Sequence, residues 1–390
     1  MQRKMRIVYA AGPGNVIGTF DRWSKGQEDP SQVSVTFSEQ FYDVCSDLDA
    51  EGYIIASNAE KKFLKQGRFT LEHRPVSLSN QSSVLYYLGQ VLYELSFVIS
   101  ALRFKADVVV GNSTSCFFVL SLLSRLGIKV IPSLHCVLWP KYVSPSKVQS
   151  LLWKLNRSFF AKDCLSILST SEDVNEQVRQ VTHNSSRPIV NFLSTYRRTE
   201  FEGIAPPGSN RSVFQVLFAG RIEANKGVFD LLEIAKQFES EGRYDIRFNI
   251  CGTGSAFELL GKQVQEVGLQ SSFILHGYCS KSEMQKMFNL SHVIIAPTKS
   301  DFVEGLNQVV IEGVLANRPV ITSSVCPAIS YVQEAVLEVP PDDVAAYANA
   351  ILKLCDDYDF YKAKQQSCKK LQEQFYSASS SWKETLKSVL

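Results

Sequence analysis

The sequence has almost no net charge, no Cys-x-x-Cys pair and no uninterrupted apolar run of bilayer length. Lys plus Arg number 41 and Asp plus Glu 39, a formal net charge of +2. That balance supplies no global field to recruit nucleic acid by counterion release, so no nucleic-acid partner is expected and an anionic ligand must meet local cations. The nine cysteines are odd in number and scattered, which argues against a disulfide framework or a structural zinc site. Most lie in apolar runs such as Cys116-Phe117-Phe118, where a reduced thiol behaves as a small hydrophobe, and a reducing, cytosolic setting fits that usage. The apolar stretches Leu88–Phe104 and Cys116–Leu126 are interrupted by Glu94 and Arg103 or are too short for the roughly 20 residues that cross a bilayer. No transmembrane helix is expected. The basic start, Met1 to Arg6, is followed by an apolar run too short for a signal peptide.

What remains is a folded chain of 390 residues, 45% apolar and 21% charged, a length and composition suited to two globular domains. Short β-rich apolar runs alternate with longer helical patterns, as in βαβ units built on parallel sheets. In the first half the strands are expected at 6–11, 53–57, 107–111, 129–134, 165–170 and 189–193. The stretch from Ser82 to Phe104 repeats Leu85, Leu88, Leu92, Leu95, Val98, Ile99 and Leu102 at helical spacing and reads as a long amphipathic helix packed on the sheet. A Pro-, Gly- and Ser-rich segment from Phe201 to Ser212 reads as a linker. Beyond it a second strand series is expected at 213–219, 246–251, 273–276, 293–297, 319–322 and 336–339. The expected organisation is an N-terminal Rossmann-like domain, 1–204, a C-terminal Rossmann-like domain, 213–375, and a last helix, 376–390, crossing back to the first domain. The fold class is α/β, with two doubly wound parallel-sheet domains facing across a cleft. Open α/β sheets of this kind bind ligands outside the carboxyl ends of their strands.

Two segments carry chemistry at such strand ends. In Glu304-Gly-Leu-Asn-Gln-Val-Val-Ile-Glu312, a helix capped near Asn307 leaves Glu304 in the loop and Glu312 about one and a half turns along the helix. Carboxylates placed there suit sugar hydroxyls, which donate hydrogen bonds, better than a phosphate, which they repel. In Phe218-Ala-Gly-Arg-Ile-Glu-Ala-Asn-Lys-Gly227, Arg221 and Lys226 flank a strand-to-helix turn and suit a diphosphate. Taken singly, each pair is more often surface charge; together they form complementary halves of a nucleotide-sugar site.

These motifs, with Gly252-Thr-Gly254 and Pro319-Val320, resemble those of the retaining glycosyltransferases of family four, which have the two-domain GT-B fold. The resemblance covers residues 213 to 355. It implies that Arg221 and Lys226 bind the donor diphosphate, that Glu304 contacts the transferred sugar, and that Glu312 holds the ribose hydroxyls. It further implies backbone contacts to the donor from Gly305, Leu306 and Asn307, where this chain departs from the usual Gly-Phe-Gly. In the first half the resemblance is looser. It places Gly14, in the glycine-rich turn after the first strand, near the donor, and His135, at the end of the strand 129–134, toward the donor sugar.

The resemblance therefore implies transfer of a sugar from a nucleotide-diphosphate sugar to an acceptor hydroxyl with retention, using no metal and no cofactor. The expected acceptor is a sugar or lipid-linked species, in surface polysaccharide or glycolipid assembly. The segment 147–162, with Leu151, Leu152, Trp153, Phe159 and Phe160 among Lys154, Arg157 and Lys162, has the composition of an interfacial helix that holds a cytoplasmic enzyme against the inner face of a membrane. A core-packed helix with a solvated basic face has the same composition. Two further readings stay open: a nucleotide-sugar epimerase or glycan phosphorylase on a related architecture, and a lapsed homologue serving as a binding or scaffold protein.

Overall fold

The computed structural model describes residues 3–76, 83–111, 114–206 and 212–390. They fall into two compact units. The first comprises Met1–Leu138, Pro145–Tyr196 and Ser377–Leu390; the second comprises Trp139–Ser144 and Arg197–Tyr376.

The first unit holds strands β1 (Arg6–Pro13), β2 (Glu51–Ser57), β3 (Lys62–Gln66), β4 (Phe69–Arg74), β5 (Val108–Gly111), β6 (Lys129–Leu134), β7 (Ile167–Ser169) and β8 (Ile189–Asn191). Their order is β3-β4-β2-β1-β5-β6-β7-β8. All pairings are parallel except β3 with β4. The β3–β4 pair is the departure from the expected all-parallel sheet. Its residues are rich in charge, with Phe63 exposed on the edge, so no apolar run marks it.

Helices α1 (Val16–Ser24), α2 (Phe37–Asp47), α3 (Ser83–Phe104), α4 (Ser121–Arg125), α5 (Lys147–Ser158) and α6 (Glu172–Thr182) cover this sheet. Capping boxes start two of them: Thr36 with Glu39 on α2, and Ser146 with Gln149 on α5. The connection from β1 to β2 runs one way along the strand order; those from β4 to β5, β5 to β6 and β6 to β7 run the other way. Right-handed crossovers therefore put α3, α4 and α5 on the face opposite α1 and α2.

Helix α3 lies where its periodicity predicts, but it is turned over. Leu85, Leu88, Leu92, Leu95, Ile99 and Leu102, expected against the sheet, are between 37% and 51% exposed, whereas Glu94, Phe97, Val98 and Ala101 are buried. A repeat of apolar residues identifies a face without saying which side the sheet takes. Gly89 is buried on the same inward side. Ser82 lies outside the described residues.

The segment Ser377–Leu390 belongs to the first unit, and its helix, Trp382–Val389, packs on α2. Trp382 is fully buried, and its indole N–H donates to Ser133 Oγ at 2.9 Å. It joins Tyr9, Phe41, Ile54 and Phe192 in one apolar cluster.

The second unit has the six expected strands: β9 (Phe214–Ala219), β10 (Ile246–Cys251), β11 (Phe273–Gly277), β12 (Val293–Ala296), β13 (Val320–Ser323) and β14 (Val336–Val339). They form a fully parallel sheet in the order β11-β10-β9-β12-β13-β14. Helices α7 (Val228–Ser240), α8 (Phe257–Glu266), α9 (Lys281–Leu290), α10 (Gln308–Leu315), α11 (Ile329–Val332), α12 (Val344–Asp356), α13 (Tyr358–Leu371) and α14 (Glu373–Tyr376) surround it. The division between units falls at Tyr196 and Arg197, ahead of the expected linker. Phe201 and Ile204 are buried in the second unit. Arg318, itself fully buried, donates to the Ala205 and Ser291 carbonyls at 2.8 and 3.0 Å. Residues 207–211 of the expected linker lie outside the described residues.

Candidate functional site

In the second unit, the four charged residues singled out from the sequence lie at or beyond the carboxyl ends of β9 and β12. After β9 the chain passes Gly220 and Arg221, makes a 3-10 turn at Ala224–Lys226, and enters α7 through Gly227. Gly227 has φ +73°, and a Cβ there would lie 2.1 Å from the Pro297 carbonyl oxygen. Only glycine admits both the backbone angle and the approach. The turn carrying Lys226 therefore sits directly against the end of β12.

That approach lets Lys226 Nζ reach Glu304 Oε2 at 2.7 Å, with side chains only 14% and 7% exposed. Thr298 Oγ1 and Asn307 Nδ2 also donate to Oε2, at 3.0 and 3.1 Å, and the Gly305 N–H donates to Oε1 at 3.1 Å. Glu304 is thus a fully solvated carboxylate whose solvent is protein. The ammonium of Lys226 also lies 3.9 Å from the centre of the Phe302 ring, a favourable cation–π distance. Arg221, 62% exposed, pairs with Glu223 at 3.0 Å and lies 5.8 Å from the same ring.

Asn307 occupies the N-cap position of α10 but does not cap it with its side chain. Its backbone is left-handed, φ 57°, and its amide turns to Glu304 instead. Gly305 is half-buried and Leu306 is buried beside it. Glu312, on α10, is half-buried, and burial pushes its carboxyl up to about 7. Among the described residues no side-chain hydrogen bond or ion pair engages it.

A second glycine fixes the neighbouring loop. Gly252, φ +134°, would place a Cβ 1.8 Å from the Gly220 carbonyl oxygen, so the chain after β10 and the chain after β9 are in backbone contact. Beside this junction lies a cavity of about 640 Å³ lined by Glu223, Asn225, Ser255, Lys299, Asp301 and Asp342. Lys299 pairs with Asp342 of the same lining at 3.5 Å and with Asp230 at 2.6 Å. None of the residues predicted to bind donor lines it. The sequence reasoning missed this cavity and missed Thr298 and Phe302, whose roles arise only when the loop after β12 folds back.

His135 and Gly14 belong to the first unit. His135 follows β6, with its ring between Phe37 and Phe192 at centroid distances of 4.4 and 5.3 Å and its Nε2 3.0 Å from Ser133 Oγ. Burial lowers its pKa to about 4, so the ring is neutral at physiological pH. Gly14 directly follows β1, which runs two residues past its expected end. Its N–H donates to Ser57 O at 3.3 Å and its carbonyl accepts from Asn58 at 3.0 Å. A Cβ on Gly14 would meet nothing within 4 Å, so sterics do not require glycine there.

Among the described residues no group of three or more His, Cys, Asp or Glu is placed to hold a metal ion. Asp-x-Asp spacing occurs twice, at Asp47/Asp49 and Asp357/Asp359. Asp47 pairs with Lys383 and Lys387, Asp49 with Lys4 and Arg68, and Asp357 caps α13. Both motifs do structural work.

Residues 202–375 match the family model described as glycosyl transferases group 1. The alpha-D-kanosaminyltransferase of Streptomyces kanamyceticus is 28% identical over 166 residues, a match spanning 42% of this chain and 42% of that relative. The fold is that of OtsA, with a TM-score of 0.73 at 14% identity over 99% of this chain and 98% of that one. It is also that of HepE from Anabaena, solved in complex with UDP, with a TM-score of 0.67 at 13% identity and the same coverage of both chains. The match to the glycosyl transferases group 1 model is confined to residues 202–375, and the chain as a whole has the GT-B fold of these solved structures.

Proposed function

We propose that the protein transfers a glycosyl unit from a nucleotide-diphosphate sugar to an acceptor hydroxyl, with retention at the anomeric carbon. The observation that carries this reading is the Lys226–Glu304 pair at the ends of β9 and β12, with Arg221 exposed next to it. A diphosphate arriving at Arg221 and Lys226 competes with Glu304 for the lysine ammonium. Glu304, still held by Thr298, Asn307 and the Gly305 N–H, then has lone pairs to accept hydrogen bonds from sugar hydroxyls. Charge developing on the leaving diphosphate is met by fixed cations, so catalysis is chiefly electrostatic and positional. Glu312, held near neutrality by burial, is suited to the ribose hydroxyls, with which it can exchange both donated and accepted hydrogen bonds. Support also comes from the family match and from HepE, which shares the fold and binds UDP.

We favour a sugar or lipid-linked acceptor, and surface polysaccharide or glycolipid assembly at the cytoplasmic side of a membrane. In this reading His135 and Gly14 contribute from the first unit, His135 as a neutral hydrogen-bonding group. The test is calorimetric titration with a panel of nucleoside diphosphates and their sugars, with and without EDTA, on the wild type, Lys226→Ala and Glu312→Ala. One nucleotide series should bind regardless of chelator and lose at least tenfold in affinity in both variants. Unchanged binding in the variants would remove the assignment of this site.

A further inference from the structure

We propose that the outer surface of α3, α4 and α5 in the first unit is a docking face for an anionic lipid bilayer, with α3 as the element that enters the interface. The proposal does not depend on the donor-site reading.

Between Leu85 and Leu102 every exposed residue of α3 is apolar or aromatic: Leu85, Leu88, Leu92, Leu95, Ile99 and Leu102, with Tyr86 beside them. The ridge runs roughly 25 Å along the helix. A contiguous exposed apolar surface on this scale marks a contact with another macromolecule or a membrane. The helix is long and apolar enough to cross a bilayer, with a mean hydropathy of 1.3 over the most apolar window. It does not cross here, because Glu94, Phe97, Val98 and Ala101 on its other side are buried in the unit. One side is held by protein and the other is bare, which is the arrangement of a helix lying in an interface.

The charges around the ridge identify the occupant. Helices α3, α4 and α5 share one side of the sheet and all pack on the turn Phe117–Val119. Helix α5 exposes Val148, Leu151 and Leu155 among Lys147, Lys154 and Arg157, and α4 exposes Leu122 and Arg125. With Arg103 at the end of α3 the three helices expose five cations. None of their exposed residues is a carboxylate, in a chain with nearly equal numbers of acids and bases. Long basic side chains beside an apolar surface can bury their stems and keep their charges at the headgroups. A second copy is the wrong partner, because an isologous interface would bring this positive surface against itself. An anionic headgroup layer complements both features at once.

The test is flotation of the full chain with vesicles of phosphatidylglycerol and phosphatidylcholine in equal parts, and with phosphatidylcholine alone, at about 0.1 M salt. The wild type should float with the anionic vesicles, bind neutral ones at least tenfold more weakly, and be partly released by high salt. Leu92→Glu/Leu95→Glu changes only exposed residues and should keep the wild-type circular dichroism while losing at least tenfold in partitioning. Lys154→Glu/Arg157→Glu should lose affinity by about fivefold or more per cation and become less sensitive to salt. The proposal is overturned if the wild type floats with neither vesicle, if it binds both equally, or if the leucine pair leaves flotation unchanged. It is overturned in favour of a second copy if light scattering shows a dimer that Leu92→Glu/Leu95→Glu converts to monomer without vesicle binding.

Discussion

Lys226 and Glu304 lie 78 positions apart in the chain, yet their Nζ and Oε2 atoms are 2.7 Å apart. Neither is much exposed, so the pair is held by protein and not by water. A buried pair of this kind is costly to break by removing one partner and much cheaper to remove whole.

Lys226→Met should therefore destabilise the second unit by about 3 kcal/mol, the lower end of the range for stranding a buried charge, because three other donors still reach Glu304. The double variant Lys226→Met/Glu304→Gln should recover at least half of that loss. Urea unfolding of the wild type, both singles and the double gives the coupling energy directly. Additive losses would mean that the two groups do not support each other.

Two glycines singled out by the sequence should behave oppositely. Gly227→Ala forces a left-handed backbone and a Cβ into the Pro297 carbonyl, and should cost at least about 2 kcal/mol. Gly14→Ala meets open space and should change stability by less than about 0.5 kcal/mol. Thermal melting of the two variants is sufficient, and a neutral Gly227→Ala would show that the loop can move away from β12.

Glu94 supplies a pH signature. Burial pushes its carboxyl up to about 7, with Thr114 as hydrogen-bond partner. Between the unfolded value of about 4.3 and 7 the unfolded chain loses this proton while the folded chain keeps it. Stability should therefore fall as pH rises through that window, by at most about 1.4 kcal/mol per pH unit for one group. Glu312 shifts the same way. Denaturant midpoints from pH 4.5 to 8 should slope downward in the wild type, less in Glu94→Gln, and least in Glu94→Gln/Glu312→Gln.

His135 gives the reverse dependence. Burial lowers it from near 6.5 to about 4, so the unfolded chain takes up its proton first as pH falls. Its contribution is full above about 6.5 and is lost as pH falls toward 4. Proton NMR of the ring should show no titration between pH 5.5 and 8, and His135→Asn should flatten stability in the acid range. A midpoint near 6 would mean that the Phe37 and Phe192 rings leave the imidazole open to water.

The second sheet was legible because each strand is a short apolar run closed by turn residues. The β3–β4 pair was not, because its charges and its two-residue turn give no such run. For α3 the period was visible but its orientation was not, since a repeat of leucines does not say whether protein or solvent takes that side, and here Glu94, Phe97, Val98 and Ala101 are the buried residues. In the site, Arg221, Lys226 and Glu304 could be placed at element ends, and Glu312 inside the helix that follows, from their spacing. Their pairing could not be, because it depends on Gly227 resting on the Pro297 carbonyl and on Asn307 turning away from its helix. Phe302 gave no local signal at all; it matters because two cations from a distant segment come over its ring.

Trp382 completes the interior of the first unit, yet the ribosome makes it only after the whole of the second unit has been synthesised. The early part of the chain must wait, with the pocket for that indole unfilled, while a complete second unit forms behind it. Vectorial synthesis thus orders the two folding events: the later-made unit can finish first, and the first-made unit closes last. A nascent chain stalled before Trp382 would leave Tyr9, Phe41 and Ser133 open to chaperones and proteases, whatever the state of the other unit.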